Sequence, residues 1–237
     1  MIYHMGRVKV QSITLRHQIV VQIRQAILEG SLLPGERVVE RTLALQLGTS
    51  VTAVREALIQ LESEGLITKR SNTTTHITSL TSKEIIQIFA VRQSLERLAV
   101  AEAAHCATGK SVRDLKSLHK LVIEAARRKD PQLYVQRDFA WHEAIWSLSG
   151  NEVLAGTLRR LVLPLFGFSI MQVVSQPSFD LLEDARLHAP ILLAIERNDA
   201  AAAVAALESG LRTWTTHVRE QPPAATKENM ACAVAGD

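Results

Sequence analysis

The stretch TSVTAVREALIQLESEGLI, residues 49–67, sorts its side chains by face. Ala53, Val54, Ala57, Leu58 and Leu61 recur at helical spacing and form an apolar stripe. Thr49, Ser50, Thr52, Arg55 and Glu56 fall mostly on the other side, close to the helix start. A helix N-terminus with small hydroxyls and one guanidinium is either solvated surface or the end of a helix that enters a DNA groove. The flanking segments decide between the two.

Upstream, Ile19, Ile23, Ala26 and Ile27 give a first helix over about Leu15 to Glu29, with Gly30 as its C-cap. SLLPGERV follows, where Pro34-Gly35 signals a turn. A second short helix runs over Glu40–Leu47 and stops at Gly48. Ser50 caps the third helix, which runs through Leu61 to about Glu64 and ends at Gly65. LITKRSNTTTHIT then turns β-branched and alternating, which predicts a short two-stranded hairpin. Three helices and a hairpin in this order describe a winged helix-turn-helix.

The chain has 237 residues, 47% of them hydrophobic but only 4% aromatic, so Leu, Ala and Val favour helices over a β-sandwich. Cys106 and Cys232 are far apart and in no metal-type spacing, which argues against a disulfide scaffold. No apolar run approaches the roughly 20 residues needed to span a bilayer, and no signal-peptide pattern opens the sequence. The expectation is a cytoplasmic protein with no membrane partner. Residues 1–80 carry nine Lys/Arg against six Asp/Glu, whereas residues 81–220 carry seventeen against sixteen, so the net charge of +3 is concentrated in the first third. That bias fits contact with nucleic acid.

From Thr81 to about Glu220 helical patterns follow one another. Thr81–Glu84 is a capping-box pattern ahead of IIQIFAVRQSLERLAVAEAA. Ser111 is read as the cap of the next helix, and Asp130-Pro131 as a cap with proline at the first helical position. RRK at 127–129 reads as a solvated helix end. Asn151 caps the following helix, SQPSFD breaks the chain before a helix carrying His188, and Asn198-Asp199 starts the last helix, to about Arg219. The expected architecture is mostly α: a winged helix-turn-helix over 11–78, an all-α bundle of about six helices over 81–220, and a disordered tail over 221–237.

ILEGSLLPGERVVERTLALQLGTSVTAVREALIQLESEGLI resembles the DNA-binding domain of GntR-family bacterial transcription regulators. The shared signals are Gly30, Pro34 and Gly35 of the turn, Leu43-Ala44, the run Val54 to Leu58, and Gly65-Leu66. In a helix-turn-helix the start of the second helix faces base edges, and the fork of Arg55 matches the O6 and N7 acceptors of guanine. Thr49, Ser50 and Thr52 are candidates for phosphate contact, helped by the helix N-terminus. Arg41 matches a position where the family places an arginine that reaches DNA, and Lys69, Arg70, Asn72, Thr73 and Thr74 are candidate wing contacts. Where the family often has Ser-Arg-Thr-Pro, this chain has Ser50-Val51-Thr52-Ala53, and its wing lacks the usual glycine. The resemblance therefore implies double-stranded operator DNA as a partner, with an operator unlike the common one.

RQSLERLAVAEAA, DFAWHEAIWSLSGN and HAPILLAIERNDAAAAVAAL resemble signatures of the FCD effector-binding domain of the family's FadR-type branch. Asp138 and His142, at i and i+4 of one helix, share a face and can chelate a cation, with His188 arriving from another helix. In the family an aspartate and three histidines hold a divalent metal at the floor of the ligand cavity. Asp138, His142 and His188 match three of these positions, and the fourth is Gly210 here. His217 lies two turns further on and is a poor substitute. The expected cofactor is zinc, nickel or manganese in an incomplete site; the alternative is a polar cavity in which Asp138 and His142 contact an organic ligand directly.

Arg92 either clamps an effector carboxylate or pairs with Glu96 at i+4 on the surface. Trp141 and Trp146 read as core. An enzyme is the main rival, but HEAIW at 142–146 has Trp where a zinc protease needs its second histidine, and no nucleophile elbow or phosphate loop is present. A helical protein-interaction module without DNA binding is the other. The expectation is a ligand-responsive regulator, a repressor and homodimer on a two-fold operator, whose effector is a small carboxylate by family analogy.

Overall fold

The computed structural model describes residues 15–70, 74–170, 174 and 176–220. The expected wing contacts Asn72 and Thr73, the tail 221–237, and the side chains of Arg70 and His217 lie outside the described residues.

The N-terminal unit runs α1 (Leu15–Leu28), β1 (Arg37–Val38), α2 (Glu40–Gln46), α3 (Val51–Ser63), β2 (Ile67–Arg70) and β3 (Thr74–Ile77). Ser50 caps α3, its side chain accepting from the Ala53 amide. Val54, Ala57, Leu58 and Leu61 pack against Ile19, Val20, Ile23 and Ile27 of α1, so the apolar stripe is the core face. The hairpin is part of a three-stranded antiparallel sheet of order β1-β3-β2, in which Lys69 faces Thr75 and Arg37 faces His76. Strand β1 was not expected; two residues after a Pro-Gly turn carry too little alternation to reveal it. Gly65 closes α3 at φ +79°, and a Cβ there would stand 3.2 Å from Pro164 Cγ and 3.3 Å from the Arg160 carbonyl oxygen. Glycine is required at this turn by backbone conformation and by space together.

The helical unit consists of α4 (Ser82–Cys106), α5 (Gly109–Arg127), α6 (Pro131–Leu148), α7 (Glu152–Pro164), a π-helical segment at Leu165–Ile170, α8 (Leu181–Arg186), α9 (His188–Glu196) and α10 (Ala200–Glu220). The expected caps at Thr81, Asp130 and Asn151 are present. Ser111 is not a cap. Thr108 caps α5 and Ser111 is the third helical residue, each side chain accepting from the other's amide. That reciprocal pair satisfies two orphan donors, so α5 starts earlier than expected. The segment carrying His188 is also two helices, broken at Leu187. Pro190 has no amide hydrogen to donate back to Arg186, which interrupts a continuous helix there. Among the described residues the bundle therefore has seven α-helices, against the expected six or so.

Helix α10 packs along α4, and α5 along α6. Trp141, Trp146, Tyr134 and Phe166 are fully enclosed in this core. Arg127, Arg128 and Lys129 are exposed, as the helix-end reading requires. The two units are not separated by open solvent. Leu163 of α7 is 2% exposed and belongs to the core of the N-terminal unit, and Phe139 of α6 packs against both cores. Gln132 Nε2 donates to the Glu29 carbonyl at 2.7 Å.

Candidate functional site

At the N-terminus of α3 the side chains differ in what they are free to do. Arg55 is exposed, and its Nε and Nη2 donate to the Glu40 carboxylate of α2, with Nη2 at 2.7 Å. The pair holds the guanidinium at the outer face of α3 by restricting its rotamers. Arg41 and Thr52 are exposed. Ser50 Oγ is already occupied as the helix cap. Thr49 Oγ1 is buried and has no partner, so its hydroxyl faces inward. Lys69 on β2 pairs with Glu62 of α3 at 2.8 Å, joining wing to helix.

The second site lies inside the helical bundle. Asp138 and His142 sit one turn apart on α6, and His188 is the first residue of α9. One ligating atom from each lies within 4.8 Å of the others, and all three residues are buried. Asp138 Oδ1 is 2.9 Å from His188 Nε2 and 3.9 Å from His142 Nε2. Oδ1 is thus ion-paired with His188, although no hydrogen bond of strict geometry joins them. His188 Nδ1 lies 3.1 Å from the Ala185 carbonyl, so a proton on Nδ1 leaves Nε2 free to ligate. His142 Nδ1 faces Glu96 Oε1 at 3.5 Å, which aims its Nε2 the same way. The donor set thus fits a divalent cation: a carboxylate oxygen and two imidazole nitrogens converge, and second partners orient both rings.

Burial pushes His142 down to about 4, more than Glu96 and Asp138 raise it, and keeps the ring neutral. His188 is also buried, but Asp138 outweighs that cost and raises it above the usual histidine value. Burial likewise opposes ionisation of Asp138, but the two imidazoles and Arg92 lower it overall. Asp184, the last acidic residue of α8, is pushed up to about 6 by burial and by the nearby negative Asp138.

These residues border a cavity of about 30 Å³, room for about two waters. Arg92 and Phe166 close one side; Gly210, Leu211 and Trp214 of α10 form another. Gly210 opens the wall, since a Cβ there would touch only Leu187 Cβ, at 3.9 Å. Arg92 does pair with Glu96, Nε to Oε2 at 3.0 Å, but the pair is buried and not on the surface as the i, i+4 alternative supposed. Its guanidinium carbon lies 5.4 Å from the Phe166 ring centre.

Some of what is here was missed by sequence reasoning. Glu96, foreseen only as a surface partner of Arg92, is a buried hub that accepts from Arg92 and from Trp146 Nε1 at 2.9 Å. Asp184 accepts from the Tyr134 hydroxyl. A signal was available for Tyr134, four residues before Asp138 on the same face of α6; Asp184 stands four before His188 in sequence, but on the preceding helix. Nothing in the pattern marks Phe166, which reaches the cavity only through the irregular helix.

Profile comparison matches residues 15–77 to bacterial regulatory proteins of the gntR family and residues 87–213 to the FCD domain. The chain is 30% identical, over 91% of its length and 88% of the relative's, to the "Probable D-xylose utilization operon transcriptional repressor" of Paenarthrobacter nicotinovorans. It is 26% identical, over 66% of this chain and 71% of the relative, to the "HTH-type transcriptional regulator McbR" of Escherichia coli. The solved structure of E. coli McbR/YncC aligns with a TM-score of 0.76 and 22% identity, covering 89% of this chain and 99% of that one, a likeness of fold.

Proposed function

Because the chain belongs to the GntR family and carries an FCD domain, it is a ligand-responsive DNA-binding transcription regulator, and we propose that it acts as a cytoplasmic, homodimeric repressor controlled by a metal-assisted effector site. The DNA-binding unit spans 11–78 and the effector unit 81–220. Arg55 reads a base in the major groove, and Arg41, Thr52 and Lys69 hold the backbone. Ser50, Thr49, Arg70, Asn72 and Thr73 complete the candidate contacts, with Thr49 requiring its buried hydroxyl to turn outward. Glu40 presets Arg55 for the groove. A homodimer is supported by Ile86, Val91 and Leu98, exposed apolar residues along α4.

In the effector unit Asp138, His142 and His188 hold a divalent zinc, nickel or manganese. The observation that carries this reading is the convergence of Asp138 Oδ1 and two oriented imidazoles, with one ligating atom of each within 4.8 Å of the others. A bound ion supplies a positive, Lewis-acidic point that favours an oxygen-rich ligand such as a carboxylate. Arg92 adds a second positive charge at the same wall, although Glu96 already holds its Nε. The cavity as it stands is too small for more than a few atoms beside the ion, so a larger effector must displace part of its wall.

Two measurements test the proposal. Elemental analysis of protein purified without chelator or nickel resin should find about one divalent metal per chain, lost in His142→Ala; a metal-free protein would leave only the organic-ligand reading. Affinity for duplex DNA should fall steeply with salt and drop on the order of tenfold or more in Arg55→Ala at an unchanged melting temperature. Loss of the salt dependence in wild type would remove the DNA assignment of α3.

A further inference from the structure

Between α7 and the π-helical segment, the chain turns first to one unit, then to the other, and back within five residues. Leu163 lies in the core of the DNA-binding unit. The Pro164 ring stands against Gly65, at the turn joining α3 to β2. Phe166 is fully buried and lines the effector cavity, its ring centre 5.9 Å from His142 and 5.2 Å from Phe139. Gly167 returns to the DNA-binding unit: a Cβ there would lie 3.6 Å from both Ile27 and Leu28 of α1. Thus one peptide unit separates a wall of the cavity from the backbone contact with α1.

The segment departs from α-helical geometry. Pro164 has no amide hydrogen, so the Arg160 carbonyl loses its helical donor, and the chain continues as a π-helix through Ile170. Widened turns of this kind often mark functional positions in helices, and their register differs from an α-helix by one residue. A one-residue change of register rotates every side chain in the turn. Any backbone displacement at Phe166 is shared with Gly167 across one peptide unit, against α1.

We propose that Pro164–Gly167 is the coupling element between the two units, with Phe166 and Gly167 as positioning residues for the recognition helix. Occupation of the cavity displaces the Phe166 ring. The displacement passes through the Gly167 backbone to α1, which packs on α3, and through Pro164 to the turn at the end of α3. The inference rests on the proposed effector cavity but not on what fills it.

The test fills the cavity by mutation, so it needs neither metal nor effector. Gly210→Leu places a side chain into the cavity from α10, remote from the coupling turn. Amide hydrogen exchange of the full chain should then change by about fivefold or more in α1 and in the turn at Gly65, the scale of an ordinary coupling energy. In the Phe166→Leu background the same filling should alter exchange in α9 and α10 but leave α1 within about twofold of its unfilled value. Phe166→Met serves if circular dichroism shows that the leucine variant does not fold. A merely structural Phe166 would shift the baseline and preserve the response. The proposal is overturned if filling the cavity leaves α1 unchanged, or if α1 responds equally without the Phe166 ring. Zinc uptake by wild type, measured in parallel, judges the metal reading separately, because its absence leaves the exchange result intact.

Discussion

Replacing Leu163 with alanine asks whether the two units unfold as one. Leu163 belongs to α7 of the helical unit, yet it is 2% exposed and its neighbours are the core of the DNA-binding unit. The substitution removes three buried carbons, at about 0.8 kcal/mol each, a loss of about 2.5 kcal/mol. Incomplete collapse of the space left behind takes the cost to between about 2.5 and 4 kcal/mol. The three tryptophans, Trp141, Trp146 and Trp214, all lie in the helical unit, so their fluorescence is blind to the other unit. Far-ultraviolet circular dichroism reports both. In a urea titration at fixed protein concentration the two signals should coincide in wild type. In Leu163→Ala both should move together to lower urea by that free energy. If circular dichroism falls early while the fluorescence midpoint stays put, the units unfold independently and the coupling argument fails. A shift below about 0.5 kcal/mol would mean that the seam at Leu163 is open in solution.

Asp184→Asn should reveal a pH-dependent strain beside the cavity. Its folded-state value of about 6 lies above the ordinary carboxylate range, so the stability tied to its neutral form is complete below about pH 4 and lost as pH rises through 6. The gain from asparagine, measured in metal-free protein, should therefore grow by about 2–3 kcal/mol between pH 4 and pH 8; a pH-independent difference refutes the assignment. Gly65→Ala should cost about 2–3 kcal/mol because strain at φ +79° adds to contact with the Arg160 carbonyl, whereas Gly30→Ala, with φ +72° and open space, should cost about 1 kcal/mol. Equal costs in thermal melts would show that the Pro164 contact is not tight. Glu40→Gln should weaken duplex-DNA binding by about threefold to tenfold without changing its salt slope, if Glu40 acts by orienting Arg55 and not by touching DNA.

The helix-turn-helix was readable because each of its parts is a local event. A glycine that ends α3, a serine that caps it and an apolar stripe along it all act within a few residues, so spacing alone identifies them. Asp138 and His142 were legible for the same reason, one turn apart on α6. Two of the failures were also local in origin. Ser111 and Thr108 offer rival starts to α5, and the reciprocal pair decided for Thr108. Pro190 split the helix carrying His188, although the surrounding apolar pattern runs straight through the break.

By itself the sequence determined the helix-turn-helix and the run of helices behind it, without β1 or the break at Leu187, and the residue types able to hold a cation. Only the tertiary structure decided how those residues are used. It brought His188 against Asp138 from 50 residues away, sank the Arg92–Glu96 pair into the bundle, and placed Leu163 and Gly167 against the DNA-binding core while Phe166 faced the cavity. Secondary structure follows from periodicity within one segment. Burial, charge pairing and contact between units depend on which segments the chain packs together, and that information is spread over the whole fold.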